Sequence, residues 1–206
     1  FYSVNTFPDY AYIGSDITVA SFFEGDISEI IVYDKVLNSA EFIIIHNYIS
    51  AKYNLPVAVN DIYDQDDVGN GNYDYDVAGI GRTNASNISA DGQGSGIVRI
   101  LNALGLGDNE YLLWGNDNGA LAATETTDIP VGMDARLGRT WRVSEVNSSG
   151  GSVDVGSIDL QFDLTGLGSL VSTDLRLLID TDNDGFFSDE TAISGASSLG
   201  SNVYAF

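Results

Sequence analysis

Cysteine is absent from the 206 residues. That excludes disulfides, thiolate metal sites and a cysteine nucleophile. It leaves the compartment open, because an extracellular chain without disulfides can be braced by metal ions. Histidine occurs once, at His46. A zinc centre, which takes about four His, Cys or carboxylate ligands, is therefore short of donors. Basic residues are also scarce: 8 Lys and Arg stand against 30 Asp and Glu, a formal net charge of −22. So negative a surface repels nucleic acid and anionic lipid, which argues against both as partners. It suits divalent cations, salty surroundings or neutral ligands such as sugars. No apolar run approaches the ~20 residues of a membrane helix, so membrane insertion is not expected. No signal peptide opens the chain. The chain begins on Phe1 rather than Met, and a longer precursor is expected.

What is present is ordinary core-forming material. Hydrophobic residues make up 44% and aromatics 11%, enough for one large domain or two small ones. Aspartate dominates over glutamate and lysine is nearly absent, a balance that favours turns over long helices. Residues 1–36 read as strands, with "DYAYIGSD" and "FFEGDISEIIVYDK" carrying Tyr, Phe, Ile and Val between Gly and Asp turns. Ile30 and Val32 share one face and Ile27 and Ile31 the other, the pattern of a strand covered on both sides. Two or three strands need partners elsewhere.

Residues 38–53 predict the one helix. Asn38 can cap it, with Glu41 at the capping-box spacing. Phe42, Ile45 and Ile49 form its apolar stripe, Ile44 and Tyr48 lie beside it, and Asn54 and Pro56 end it. That face should pack across a sheet. Residues 57–76 read as an acidic loop. Beyond it, short apolar runs recur between Gly, Asn and Asp turns: "VAGIGR", "SGIVRIL", "EYLLWGN", "RTWRVSEV", "GSVDVGSIDLQFDL", "DLRLLIDT" and "SNVYAF". The spacing predicts an all-β fold, an antiparallel β-sandwich of jelly-roll or Ig-like type, with one connecting α-helix near 38–53.

The strongest chemical signal is "DTDNDGFFSDE". Asp180, Asp182 and Asp184 sit at alternate positions before Gly185, and the Phe186 carbonyl falls where a calcium loop uses a backbone ligand. Hard oxygens at that spacing turn inwards around one cation. The twelfth position is Thr191 rather than Glu, with Asp189 and Glu190 close enough to supply the last carboxylate. No helix pattern flanks the loop, so this is not an EF-hand. Calcium is the expected cofactor. A second candidate metal cluster holds Asp64, Asp66, Asp67, Asp74 and Asp76, alongside Asp61. Its alternative is a solvated acidic loop. "WGNDNG" offers one carboxylate, Asp117, and reads as a tight turn without metal.

No catalytic residue is assigned. His46 has no Gly-x-Ser-x-Gly serine to serve, and Ser95 in "GQGSG" fails that spacing. "GIGRTNAS" has no Lys-Ser/Thr and opens no helix, so it is not a phosphate loop. "EGDISE" reads Glu24-x-Asp26-x-x-Glu29, the glucanase arrangement of paired carboxylates, but it reads as the opening of a final strand, with a Gly25–Asp26 turn. Trp114 and Trp141 can stack on sugars, though a Trp in "RTWRV" reads as core. Tyr63, Tyr73 and Tyr75 in the acidic loop are the surface candidates for ligand binding.

Two segments carry a resemblance. Gly25, Asp26, Ile27, Glu29, Ile30, Tyr33, Leu37, Ala40, Glu41, Lys52 and Tyr53 resemble the closing strand and following helix of laminin-G-like, concanavalin A-like domains in large bacterial surface proteins. "YDYDVAGIGRTNAS", "EYLLWGNDNGAL", "RLGRTWRV" and "LLIDTDNDGFF" then fall in the order of a β-sandwich module of large secreted surface proteins of Bacteroidota. The resemblance implies residues 1–37 as terminal strands of a lectin-like sandwich, 38–55 as a connecting helix and 56–206 as the module. It further implies a secreted, cell-surface, adhesin-type protein whose partners are neighbouring domains of a longer chain and glycans or surface polymers. Its alternatives are a carbohydrate-binding module of a polysaccharide-degrading enzyme, or a glycoside hydrolase remnant.

Overall fold

A computed structural model describes residues 12–15, 18, 20–57 and 59–206. The chain divides into two compact units, residues 1–37 and 38–206.

In the first unit the expected strands are largely missing. Among its described residues, a single bridge joins Ser15 and Phe22, and the Phe23 N–H donates to the Gly14 carbonyl at 2.8 Å. Residues 23–37 carry no ladder, and Ile27, Ile30, Ile31, Val32 and Tyr33 stay exposed. A two-faced apolar strand is stable only with neighbours on its edges and faces. The rest of "DYAYIGSD" lies partly outside the described residues.

The second unit opens with helix α1, Ser39–Tyr53. The Asn38 side chain accepts the Ala40 and Glu41 N–H groups at 2.9 and 3.1 Å, and Glu41 takes the Asn38 N–H at 2.9 Å. This is the full reciprocal box. Asn54 ends the helix in left-handed backbone (φ 49°). Its buried face differs from the stripe predicted from sequence. Ala40, Ile43, Ile44, Asn47, Ser50 and Ala51 go inside, whereas Phe42, Ile45, Tyr48 and Ile49 are half-buried. The helix is apolar nearly all round, so its periodicity did not single out one face.

Eleven strands follow: β1 (Tyr75–Asn84), β2 (Asn87–Ser89), β3 (Asp91–Gln93), β4 (Val98–Leu101), β5 (Glu110–Asn116), β6 (Ala123–Glu125), β7 (Arg136–Leu137), β8 (Trp141–Asn147), β9 (Asp159–Asp163), β10 (Ser197–Gly200) and β11 (Val203–Ala205). One sheet has the order β2-β1-β5-β8 and another β10-β11-β9-β4-β3, while β6 and β7 form a small hairpin. Every pairing is antiparallel. The fold is thus all-β and sandwich-like, with a single α-helix among the described residues. "DLRLLIDT" contributes only the bridge Leu177–Ile193.

The unit has three layers. Ala78, Ile80, Leu112 and Trp114 of the first sheet meet Val98, Ile100, Leu160 and Phe162 of the second. Trp141 joins them, edge-on to Phe162 at 6.0 Å. On the other side Val77, Tyr111, Leu113 and Val146 meet Ala40, Ile43, Ile44 and Ala51 of α1. Covered on both faces, β5 is buried almost throughout and β1 is buried from Val77 to Gly81. Gly79 and Gly81 make this possible. A Cβ at Gly79 would sit 2.8 Å from Leu113, and one at Gly81 would enter the Tyr111 ring.

Candidate functional site

The acidic loop of residues 180–190 hangs from a two-bond stem. Leu177 and Ile193 exchange N–H···O bonds of 3.0 and 2.9 Å. Within it Asp180 acts as a hub: its carboxylate accepts the Asp184 N–H at 3.2 Å and the Gly185 N–H at 3.0 Å. Asp184 accepts the Phe186 N–H at 2.8 Å. Asn183 (φ 62°) and Gly185 (φ 87°) take left-handed backbone, which makes the tight curl. The outcome is that Asp180, Asp182 and Asp184 each bring a carboxylate oxygen within 4.8 Å of the others. The Asp182 carboxyl is raised above its ordinary value, first by loss of solvation and then by repulsion from Asp184, Asp189 and Asp180. Hard oxygens so placed are of the kind that hold a Ca²⁺-sized cation.

The expected outer ligands are arranged differently. Glu190 is turned to Thr181, accepting its N–H at 2.6 Å and meeting its hydroxyl at 3.0 and 3.1 Å. Neither Asp189 nor Glu190 joins the converging group. Phe186 is exposed.

A clamp that the sequence did not reveal fixes the far side of this loop. Asp128 accepts the Phe187 and Ser188 N–H groups at 2.7 and 3.0 Å. Its other oxygen pairs with Arg136 at 2.8 Å, and the Arg136 guanidinium lies 4.7 Å over the Phe187 ring. Burial pushes the Asp128 carboxyl up, but the Phe187 amide, Arg136 and the Ser188 amide outweigh it and hold it below the ordinary range. Glu125 braces the same turn: the Thr127 hydroxyl and the Thr127 and Asp128 amides bring its carboxyl down to about 2. "TTDIPVGMDAR" carries no local pattern that marks Asp128 as a clamp.

The second acidic set does not assemble as predicted. Among the described residues, Asp180, Asp182 and Asp184 make the one group of converging ligands. Asp64 and Asp66 flank a 3₁₀ turn, with Asp67 beside it. The Asp66 carboxyl is pushed up to about 6, by burial first and then by Asp61, Asp67 and Asp64. Asp61 is raised by burial, then by Asp67 and Asp64. Asp74 is met by the Asn72 side chain at 3.4 Å. Asp76 belongs elsewhere. On β1, in left-handed backbone (φ 50°), it meets Ser95 and Asn116 and pairs with Arg139 at 3.5 Å.

Of the three tyrosines, Tyr63 is corrected. Tyr63 is 1% exposed and donates its hydroxyl to the Tyr73 carbonyl at 2.9 Å, so it cannot face a ligand. Burial pushes its phenol above the ordinary range. Tyr73 is half-buried beside Gly71, and Tyr75 is 46% exposed. What holds Tyr63 is Asn47, 1% exposed on α1. Its Oδ1 accepts the Ile62 and Tyr63 N–H groups at 2.9 and 3.0 Å, and its Nδ2 donates to the Ile43 and Asn60 carbonyls at 2.8 and 2.9 Å. A lone amide amid "FIIIHNYIS" was the available signal.

Other candidates take structural places. Asp117 accepts the Gly119 N–H at 2.9 Å and the Thr140 N–H and hydroxyl at 3.1 and 2.8 Å, a tight turn as expected. Trp114 is core, "GIGRTNAS" is the β1–β2 hairpin, and His46 packs at a tilt against Phe42 with centroids 3.9 Å apart. Glu24 is exposed in the segment without ladder pairing, so "EGDISE" does not lie on a sheet there.

In comparison with known proteins, no curated protein and no solved structure matches. One family model does, described as a domain of unknown function, over residues 99–205. The match runs from β4 to the last strand and takes in Asp128, Arg136 and the 180–190 loop. More than half of the 206 residues fall within it, and the chain belongs to the DUF8202 family.

Proposed function

We propose that this chain is a non-catalytic, calcium-stabilised module of a secreted bacterial surface protein of the adhesin type. It spaces or presents neighbouring domains that bind glycans or surface polymers. The observation that carries the reading is the convergence of Asp180, Asp182 and Asp184 within 4.8 Å in a loop clamped by Asp128. Three like charges held together cost stability until a cation joins them. The net charge of −22 adds to that repulsion. Outside a cell, where calcium is plentiful, the ion would pin the loop and stiffen the chain. One ion at about 100 Kd adds about 2.7 kcal/mol, against a usual total of about 5–15 kcal/mol.

Thermal melts in calcium and in EDTA test this. The expected rise with calcium is about 5–10 °C, abolished by Asp180→Asn with Asp182→Asn. Superimposable curves would refute the calcium assignment.

The exposure of Tyr75, 46%, favours a second reading, a carbohydrate-binding module of a polysaccharide-degrading enzyme. It calls for saturable binding to a soluble glycan that Tyr75→Ala removes. Binding unaffected by that change would discard Tyr75 as the platform.

A further inference from the structure

Four dipeptides in the chain have the composition most prone to succinimide chemistry: Asn70-Gly71, Asn118-Gly119, Asp91-Gly92 and Asp184-Gly185. The reaction needs the glycine N–H free to lose its proton and approach the preceding Cγ. The fold withholds that freedom from three of them. The Gly119 N–H is donated to the Asp117 carboxylate at 2.9 Å, and the Gly185 N–H to Asp180 at 3.0 Å. Gly92 is buried in β3, and Asp91 is paired with Arg99. At the fourth, both residues are exposed, and the Gly71 N–H reaches only the Val68 carbonyl, at 3.4 Å. Asn118 is exposed as well but Gly119 is half-buried, so the donor's partner and its access to solvent together separate the two Asn-Gly pairs.

We propose that Asn70 is a site of spontaneous covalent modification, conversion of its amide to aspartate and isoaspartate. The Gly71 nitrogen gives its proton to solvent base and attacks the Asn70 Cγ. The new N–Cγ bond closes a five-membered imide, the Cγ–Nδ2 bond breaks and ammonia leaves. Water then opens the imide at either carbonyl. The one co-reactant is water. Asn70 must first leave its 3₁₀ turn, Val68–Asn70, which is closed by the Asn70 N–H on the Asp67 carbonyl at 2.9 Å and by that long 3.4 Å contact. The consequence is electrostatic. Asn70 Nδ2 donates to the Asp64 carbonyl at 2.6 Å. The product replaces this donor by a carboxylate next to Asp64, Asp66 and Asp67, and so loosens the turn.

The test is incubation of the folded chain at mildly alkaline pH, with time points digested and both Asn-Gly peptides quantified by mass spectrometry. The expected rate at Asn70 exceeds that at Asn118 about tenfold or more, the ratio set by one charge-assisted hydrogen bond that must first break. In concentrated urea the two rates should converge. Equal rates in the folded chain, or a ratio that survives in urea, overturns the proposal. The modified fraction, separated by its added charge, should exchange the Asn72 and Tyr73 amides faster. Unchanged exchange there overturns the link to the turn.

Discussion

Asn47→Ala should be one of the most damaging single changes to a polar residue in the chain. Asn47 uses all four of its hydrogen-bonding positions, at 2.8–3.0 Å. The substitution would leave the Ile43 carbonyl to its helical partner and the Asn60 carbonyl to water. The Ile62 and Tyr63 N–H groups have no such recourse, because those residues are 3% and 1% exposed. Each orphaned buried donor costs about 1–3 kcal/mol. Helix propensity returns about 0.5 kcal/mol, since alanine is the better helix former. The expected net loss is about 3 kcal/mol, a Tm fall of roughly 6–12 °C for a unit of this size. Urea unfolding followed by tryptophan fluorescence measures it, because Trp114 lies in the inner core and Trp141 packs against it. Hydrogen exchange localises it, with the Ile62 and Tyr63 amides expected to lose protection before those of β5. A loss under about 0.5 kcal/mol, or full protection of those two amides, would show that the segment is held by its apolar packing and not by the amide.

Asp66 gives a pH signature. Its folded value, about 6, lies above the unfolded one, so its contribution is present at low pH and lost as pH rises from about 4 to 6. Asp66→Asn should therefore stabilise by about 1 kcal/mol above pH 6, after discount for solvent screening, and have little effect near pH 4. A gain confined to acid would reverse the assigned sign. Asp128 is the mirror case: held low, it stabilises above the unfolded carboxylate value and stops doing so as pH falls through its depressed one. Asp128→Ala frees the Phe187 and Ser188 amides and breaks the Arg136 pair. It should cost about 1–3 kcal/mol at neutral pH and weaken the calcium binding proposed for the loop, measured by titration calorimetry. Unaltered calcium affinity would separate the clamp from the metal loop.

How much of this was legible varies with how local each signal is. The capping box at Asn38 and Glu41, the left-handed stop at Asn54 and strand Glu110–Asn116 were readable because each depends on residues within one turn or one strand. The curl of Asp180, Asp182 and Asp184 was readable for the same reason. Strands β2, β3, β6, β7 and β10 were not. They are two to four residues long, too short for alternation to show, and exist because a neighbour offers its edge. The strands expected before residue 37 had the right pattern but found no ladder among the described residues.

Residue order alone carried the all-β class, the α-helix and its ends, the absence of thiol chemistry and the acidic loop. Tertiary structure decided the rest. It chose the face of α1 by giving Asn47 four partners, and it buried Tyr63, which the sequence had placed outside. It sent Asp76 to Arg139 instead of to the other aspartates, and it set Asp128 against a loop about 60 residues away (Phe187 and Ser188). The physical reason is common to all four. A hydrogen bond or ion pair between distant residues leaves no period, spacing or composition in the chain, and comes into being only when packing brings the partners within about 3 Å.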